Sequence, residues 1–142
     1  MSNPFCRDVG DILVAYDGSE GSRKALKKAE SMLKEGDQLV AVYVLPTKAI
    51  EGFAYFDYEL TREKAQGALN EVIEELKSRN VDAIGLLREG DVAEEIIEIA
   101  GETQCDMIVI GSKGLSKVGT FSLGSVAEKV ARHANRMVLI VR

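Results

Sequence analysis

Five short apolar runs alternate with segments of helical periodicity, and this alternation constrains the fold of the chain more than any other feature. The second run, QLVAVYVL, is apolar without a break, as expected for a strand buried on both faces of a parallel sheet. The predicted strands are Asp11 to Tyr16, Gln38 to Leu45, Ala83 to Leu87, Met107 to Gly111 and Met137 to Val141. Strands that alternate with helices imply right-handed βαβ crossovers. The sequence therefore predicts an α/β fold with a parallel sheet covered by helices on both faces.

Four helices are predicted between these strands. The first begins after the DGSEGS turn, and Gly36 is expected to be its C-terminal cap. The second is expected from about Thr61 to Asn80, after an irregular stretch. Asp91, three residues before Glu94, predicts the start of the third, and the fourth is expected from about Ser125 to Ala134. The apolar face of the first helix is predicted to consist of Ala25, Leu26, Ala29, Met32 and Leu33.

Length, charge and cysteine content limit the classes of protein to which the chain can belong. Its 142 residues are the size of one domain, predicted to span residues 1–142. A net charge of −5 disfavours a nucleic-acid partner, because such proteins normally carry clustered Lys and Arg. Cys6 and Cys105 form no C-x-x-C pair, and no apolar stretch suggests a signal peptide or a membrane span. We expect a soluble, cytoplasmic protein without a structural disulfide or zinc site.

The segment from Pro46 to Leu60 is unusually aromatic. It contains half of the phenylalanine and tyrosine residues of the chain: Phe53, Tyr55, Phe56 and Tyr58. Two interpretations remain open at this stage. The segment is either a loop packed on the body of the domain, or a lid or surface for a protein partner.

Two loops that follow predicted strands have the composition of a ligand site. Ligands of open α/β sheets collect at the carboxyl ends of strands, where βα loops and helix N-termini lie. The first loop is Asp17-Gly18-Ser19, and the second extends from Gly111 to Gly124. Glycines of the second loop permit close backbone approach, and Ser125 with Glu128 predicts a helix start directly after it. Its charged and hydroxyl groups could bind phosphate: Ser112, Lys113, Ser116, Lys117, Thr120, Ser122 and Ser125. The alternative is a flexible glycine-rich loop followed by an ordinary helix cap.

The spacing of this loop distinguishes among nucleotide-binding families. Neither the G-x-x-x-x-G-K-[ST] loop nor the G-x-G-x-x-G fingerprint occurs in the chain. The residues Gly111, Gly114, Gly124 and Ser125 form the pattern G-x-x-G-x9-G-[ST]. This pattern resembles the signature of the ATP-binding branch of the universal stress protein family. The resemblance covers nearly the whole chain, with further similarity in ILVAYDGSEGSRKAL, LVAVYVL, REGDVAEEIIEIA and RMVLIVR.

The resemblance implies a role for individual residues. Asp17 would contact the ribose side of ATP or help to hold a magnesium ion, and Val44 would lie beside the adenine through its backbone groups. The residues implied at the phosphates and ribose are Gly111, Gly114, Gly124, Ser125 and Val126. Two positions depart from the family pattern. Ala15, which the resemblance implies at the adenine pocket, stands where proline is frequent, and this slightly weakens the pocket. Lys113 stands where Arg or His is frequent, which retains the charge but loses the planar fork of Arg.

The resemblance also implies a strand order and an oligomeric state. Members of the family have the order 3-2-1-4-5, which places strands one and four side by side and brings Asp17 and Gly111 to one crevice. Strand five, Met137 to Val141, would then be an apolar edge without charge or proline to prevent pairing. We therefore expect a homodimer that pairs through this strand.

Three functions from different classes remain open. The leading hypothesis is a nucleotide-responsive homodimeric switch with a possible protein partner; the second is a dimeric interaction module that does not bind nucleotide. The third is an enzyme that uses ATP, but Asp17 is the single carboxylate at the predicted crevice. The family resemblance favours Asp17 as a ligand, and the alternative is a turn residue that bonds its own backbone. His133 is expected at the far end of the last helix, so no Ser-His pair can form. At most, slow hydrolysis or autophosphorylation is expected.

Overall fold

The structure, a computed structural model, describes residues 10–47, 55–113 and 123–142. Within these residues lie five strands and four helices. The strands are β1 Ile12–Ala15, β2 Gln38–Pro46, β3 Asp82–Gly90, β4 Met107–Gly111 and β5 Met137–Val141. The helices are α1 Glu20–Met32, α2 Tyr55–Ser78, α3 Val92–Thr103 and α4 Ser125–His133.

All five strands form one parallel sheet in the order β3-β2-β1-β4-β5. Val14 of β1 pairs with Ala41 of β2 on one side and with Val109 of β4 on the other. The chain winds from β1 outward to β3 and then crosses back to β4, so the direction of winding reverses between β1 and β4. The predicted fold class and strand order are confirmed.

The sheet separates two apolar cores. Ile12 and Val14 of β1 face one core with α1 and α2, whereas Leu13 faces the other with α3 and α4. These three side chains have no exposed surface, as expected for a central parallel strand. Full burial of each such side chain contributes about 1.5–3 kcal/mol to folding. The continuous apolar character of the strands is therefore explained by a sheet covered on both faces.

The first helix ends earlier than predicted. Its last residue is Met32, and Leu33 is the C-cap in an extended conformation, so the prediction of Gly36 as the cap is wrong. Gly36 instead lies in a turn in which the Asp37 amide donates to the carbonyl oxygen of Lys34 at 2.9 Å. Its φ of +92° explains the glycine, because L side chains rarely adopt that conformation.

The second helix begins earlier than predicted. Tyr55 is its first residue, so residues 55–60 of the aromatic segment are helical rather than irregular. None of the described side chains from Asp57 to Lys64 is buried, and the apolar periodicity that marks a helix therefore starts only at Ala65. Residues 48–54, with Phe53, lie outside the described residues. Strand β3 is also longer than the predicted Ala83 to Leu87.

The starts of the last two helices match the predictions within a residue. The Glu94 amide donates to the Asp91 carboxylate at 3.0 Å, which confirms Asp91 as the N-cap of α3. In α4 the N-cap is Gly124 and Ser125 is the first helical residue, which confirms the predicted start of this helix at Ser125. Gly124 takes this position because its backbone is extended and its carbonyl oxygen accepts the Glu128 amide at 3.0 Å.

Cys105 is a buried free thiol whose pKa is raised by burial, while Cys6 lies outside the described residues. Among the helices that the structure describes, none is long and apolar enough to cross a membrane.

Candidate functional site

The carboxyl ends of β1 and β4 lie side by side. Because the two strands are parallel and pair from Ile12 with Met107 to Val14 with Val109, the segments that follow them leave the sheet at the same edge. Asp17 follows β1 by two residues, and Gly111 is the last residue of β4. This is the point at which the winding reverses, where open α/β sheets bind their ligands.

The turn after β1 is fixed by side-chain to backbone hydrogen bonds. The Asp17 carboxylate accepts the Ser19 amide through Oδ1 at 2.9 Å, and Gly18 between them has a φ of +81°. Ser19 is the N-cap of α1 and accepts the Ser22 amide through Oγ at 3.2 Å. Asp17 therefore acts as a turn residue, and its second oxygen, Oδ2, is the one left for a ligand.

Gly111 packs directly against the first turn of α1. A Cβ atom at Gly111 would lie 2.8 Å from both the carbonyl carbon and the carbonyl oxygen of Gly21. A Cβ atom at Gly21 would in turn overlap the carbonyl oxygen of Lys113. Backbone cannot rotate away as a side chain can, so both positions require glycine. Gly111 was predicted from the sequence as a residue that approaches a ligand, whereas Gly21, which has no motif of its own, was not predicted.

Hydrogen bonds hold the two ends of the glycine-rich loop together. Gly124 donates its amide to the carbonyl oxygen of Ser112 at 2.6 Å. Ser112 donates its own amide to the carbonyl oxygen of Val141 at 2.8 Å and is buried, with 9% of its surface exposed. The structure thus brings together Ser112, Lys113 and the start of α4. The other candidates of this loop, Gly114, Ser116, Lys117, Thr120 and Ser122, lie outside the described residues.

The start of α4 presents backbone amides at the closed end of this loop. Ser125 is exposed and Val126 is half-buried, so the first turn is accessible to solvent. The first amides of a helix have no partner within it, and the helix dipole adds partial positive charge there. Lys113 is half-buried and forms no ion pair with another described residue. These groups together suit an anion.

The two residues implied on the adenine side belong to the core. Val44 is 7% exposed and packs among the side chains that β2 directs towards α3 and α4. Ala15, at the end of β1, packs against the same core. Their side chains are therefore largely committed to packing, and the backbone of Val44 is the part that could contact a base.

A pair of tyrosines lies beside the acidic turn, and the sequence analysis did not identify it. The rings of Tyr16 and Tyr43 meet edge to face, with centroids 6.3 Å apart and an interplanar angle of 79°. Burial raises the pKa of Tyr43, and the negative charge of Asp17 and the neighbouring Tyr16 raise it further. Both effects disfavour the phenolate. The cue in the sequence was the position of Tyr16 immediately before Asp17.

A groove separate from the predicted crevice runs between α1 and α2. It has a volume of about 650 Å³, and Tyr16 and Gly18 contribute to its lining. Charged side chains line it on both sides, among them Arg23 and Lys27 on α1 and Glu71 and Glu75 on α2. Glu30 of α1 forms an ion pair of 2.8 Å with Arg79, the residue that follows α2. The groove is adjacent to the Asp17 turn and is not made by the candidate residues of the glycine-rich loop.

Metal binding through the protein alone is not indicated in the described parts of the chain. They contain no group of three His, Cys, Asp or Glu side chains that could hold a metal ion. A magnesium ion commonly takes one or two carboxylates together with phosphate oxygens and water, and Oδ2 of Asp17 suits such a role. His133 is in the last turn of α4, at the opposite end of the helix from Gly124, as predicted.

Known proteins match this chain over nearly its whole length. A model of the universal stress protein family matches residues 9–142. Universal stress protein MJ0531 of Methanocaldococcus jannaschii is 34% identical over 137 residues, which are 92% of this chain and 81% of that protein. YxiE of Bacillus subtilis, also a universal stress protein, is 34% identical over 144 residues, covering 92% of this chain and 97% of its own.

Solved structures show the same fold. The structure of the protein MJ0577 superposes with a TM-score of 0.85 at 27% identity, covering 95% of this chain and 96% of that one. UspA from Lactobacillus plantarum superposes with a TM-score of 0.81 at 20% identity, covering 96% and 100%. On the family match, the relatives and the strand order together, the chain belongs to the universal stress protein family.

Proposed function

We propose that this protein is a cytoplasmic, adenine-nucleotide-responsive switch that binds ATP with magnesium and acts as a homodimer in a stress response. The observation that carries the proposal is the junction of β1 and β4. It brings the Asp17 turn, the backbone of Lys113 and the start of α4 to one edge of the sheet. Amides, a lysine and a carboxylate at the point where winding reverses suit a nucleotide phosphate with its cation.

Adenine nucleotides bind to other proteins with this fold. A universal stress protein in complex with cAMP superposes with a TM-score of 0.66 at 23% identity, and one from Archaeoglobus fulgidus in complex with dAMP with a TM-score of 0.68 at 23% identity. At that identity the likeness concerns the fold. The proposal for this chain therefore rests on its own residues, Asp17, Lys113 and the G-x-x-G-x9-G-[ST] spacing that ends at Gly124 and Ser125.

Each group in the site would have a separate task. The amides at the start of α4 and the ammonium of Lys113 would hold phosphate oxygens. A bound magnesium ion would neutralise phosphate charge, and Oδ2 of Asp17 would be its protein ligand, since Oδ1 accepts the Ser19 amide. The backbone of Val44 would lie beside the base. Binding rather than turnover follows from this set, because Asp17 is the sole candidate carboxylate.

The dimer would form through β5. This strand lies at the end of the sheet and pairs with β4 on its inner side. Met137, its first residue, keeps 51% of its surface exposed. An apolar edge strand can pair with its counterpart across a two-fold axis. Since Val141 of β5 accepts the Ser112 amide, the dimer edge and the nucleotide loop share a hydrogen bond, and occupancy of one could alter the other.

A second function is favoured by one specific observation. The packing of Gly111 against Gly21 explains why residue 111 is a glycine even where no ligand binds. A dimeric interaction module that does not bind nucleotide would need the same contact. The two functions differ in what they require of Gly124 and the start of α4, which only the nucleotide site uses.

The test is a calorimetric titration of the protein with MgATP, after mass spectrometry has excluded co-purified nucleotide. Gly124→Val is the blocked-loop variant, because a side chain there would crowd the phosphates. Gly67→Val is its matched control, since it makes the same change at an exposed helical glycine outside the site, where a Cβ atom would meet nothing within 4 Å. Micromolar binding (Kd on the order of 1–100 μM, about −5 to −8 kcal/mol), lost in Gly124→Val and retained in Gly67→Val, supports the switch. No heat with the nucleotide-free wild type favours the interaction module.

A further inference from the structure

We propose that Gly21 is a positioning residue of the nucleotide site. By lacking a side chain, it lets the first turn of α1 lie against the end of β4 and sets the place of the Lys113 backbone beside the Asp17 turn. Gly21 is not one of the candidate site residues, and it acts on the site through its contacts with Lys113 and Gly111. The inference rests on the proposed function and names what aligns the two loops of that site.

The contact is backbone against backbone in both directions. Gly111 has no room for a Cβ atom because Gly21 is 2.8 Å from the position that it would take. Gly21 has no room for a Cβ atom because the Lys113 carbonyl oxygen would overlap it, whereas Ser19 Oγ would be 4.0 Å from that atom. Such a contact cannot be relieved by a change of rotamer, so an added methyl group at Gly21 must displace either the first turn of α1 or the backbone of Lys113.

Backbone conformation gives no other reason for a glycine at this position. Gly18, Gly36 and Gly90 are the described glycines with positive φ, and Gly21 is not among them. It lies in the first turn of α1, where glycine stabilises a helix less than alanine does. The benefit that offsets this loss is the absence of a side chain.

The displacement would pass from Lys113 to the start of α4. Lys113 follows Ser112, whose carbonyl oxygen accepts the Gly124 amide and thereby closes the loop. Pushing the Lys113 carbonyl away from α1 would draw the Ser112 carbonyl from Gly124. The amides proposed to hold phosphate would then lose their position relative to Asp17, although neither α4 nor the β1 turn is itself altered.

The variant that tests this is Gly21→Ala, with Gly67→Ala as its matched control. Gly67 is also helical and exposed, and a Cβ atom there would meet nothing within 4 Å. We expect Gly21→Ala to weaken MgATP binding at least about tenfold, because binding groups must be held to within about 0.5 Å. Gly67→Ala should bind as the wild type does.

Amide hydrogen exchange in the nucleotide-free protein separates positioning from general destabilisation. Gly21→Ala should accelerate exchange of the Gly124 amide while the amides of β1 and β4 exchange as in the wild type. Exchange that rises equally throughout the sheet would indicate a merely structural role and overturn the inference. Gly111→Ala, which crowds the same contact from the other side, should reproduce the local effect if Gly21→Ala does not fold.

The two proposals fail in different ways. If the wild type binds MgATP and Gly21→Ala binds it equally well, the positioning role is wrong and the proposed function stands. If the wild type binds no MgATP, the proposed function fails, and the exchange of the Gly124 amide still decides whether Gly21 sets the position of the loop.

Discussion

Gly124 donates its backbone amide to the carbonyl oxygen of Ser112 at 2.6 Å, although twelve positions of chain separate the two residues. The hydrogen bond closes the base of the glycine-rich loop. It also joins the end of β4 to the N-cap of α4, since Gly124 has that position. The beginning of the glycine-rich loop therefore lies next to the N-terminus of α4, where the helix dipole has its positive end.

The same place is connected to the edge of the sheet. Ser112, which accepts from Gly124, donates to Val141 at the end of β5 at 2.8 Å. Three elements therefore meet within two hydrogen bonds: the loop, the helix start and the edge strand. A ligand that tightened the first bond would act next to the second, which gives the proposed switch a physical route from phosphate to dimer edge.

Asp17 can be separated into its two roles by the choice of substitution. Asp17→Asn retains an oxygen that can accept the Ser19 amide but cannot ligate magnesium as a carboxylate does. We expect it to weaken MgATP binding about tenfold, equivalent to about 1.4 kcal/mol, with a melting temperature close to that of the wild type. Asp17→Ala should lose the turn as well, and with it about 1 kcal/mol of stability.

Calorimetric titration with and without a chelator measures the first effect, and denaturant unfolding measures the second. Removal of magnesium should bring the affinity of the wild type close to that of Asp17→Asn. Equal affinity of the wild type and Asp17→Asn for MgATP would mean that Asp17 is a turn residue alone.

The sequence was sufficient for the architecture because burial leaves a direct pattern. A strand such as β2, whose residues face two cores, must be apolar without interruption, and the alternation with helices then implies parallel crossovers. The strand order came from the family resemblance. The start of α2 could not be predicted, because its first turns from Asp57 to Lys64 bury no described side chain and so carry no apolar period.

Site residues that follow or end a recognisable strand could be predicted from the sequence. Residues that matter because of a contact between distant parts of the chain could not. Asp17 follows β1 and Gly111 ends β4, and both strands are recognisable as apolar runs, so both residues were found. Gly21 was missed because its importance arises from a close approach between α1 and β4, which lie far apart in sequence. Tyr43 was missed for the same reason, since its proximity to Asp17 follows from the pairing of β1 with β2.

A charge on the β5 edge should disrupt the proposed dimer. Met137 is the exposed apolar residue of that strand, and lysine on an edge strand opposes pairing with another chain. Met137→Lys should therefore shift the protein to a monomer at concentrations on the order of 10 μM, at which we expect the wild type to be dimeric. Analytical ultracentrifugation gives the mass of both.

The opposite edge of the sheet supplies the control for this variant. Ile84 of β3 is similarly exposed, at 38%, and Ile84→Lys places the same charge on the other edge strand. It should leave the dimer intact. Loss of the dimer in Ile84→Lys with its retention in Met137→Lys would assign the interface to β3 instead.

A methyl group at Gly85 should test how tightly α2 packs on β3. A Cβ atom there would lie 2.8 Å from Cγ of Leu69 and 3.1 Å from Cγ1 of Ile73, both of which belong to the buried face of α2. We expect Gly85→Ala to lower the free energy of unfolding by about 1–3 kcal/mol through overpacking. Denaturant titration measures the change, with Gly67→Ala as the control.

The control is expected to change stability in the opposite direction. Gly67 lies in the same helix with open space around it, so alanine there should add about 0.5–1 kcal/mol through helix propensity. A neutral or stabilising Gly85→Ala would show that α2 can shift away from β3 at little cost.

The environment of Tyr43 predicts a loss of stability at alkaline pH. Its pKa in the folded protein is raised above 10.0, first by burial and then by the charge of Asp17, so the unfolded chain releases this proton more readily. The contribution of the neutral phenol to stability is therefore complete below pH 10 and declines as the pH rises from there through the pKa of the folded state.

Tyr43→Phe removes this ionisable group and keeps the ring against Tyr16. We expect the variant to lose less stability than the wild type between pH 9 and pH 11, as measured by urea unfolding at each pH. When the pH is raised and tyrosinate absorbance is followed, one tyrosine should ionise at a higher pH in the wild type than in Asp17→Asn. The reason is that the charge of Asp17 contributes to the raised pKa of Tyr43. Identical stability profiles for Tyr43→Phe and the wild type would contradict the linkage, and an unchanged titration in Asp17→Asn would place the cause in burial alone.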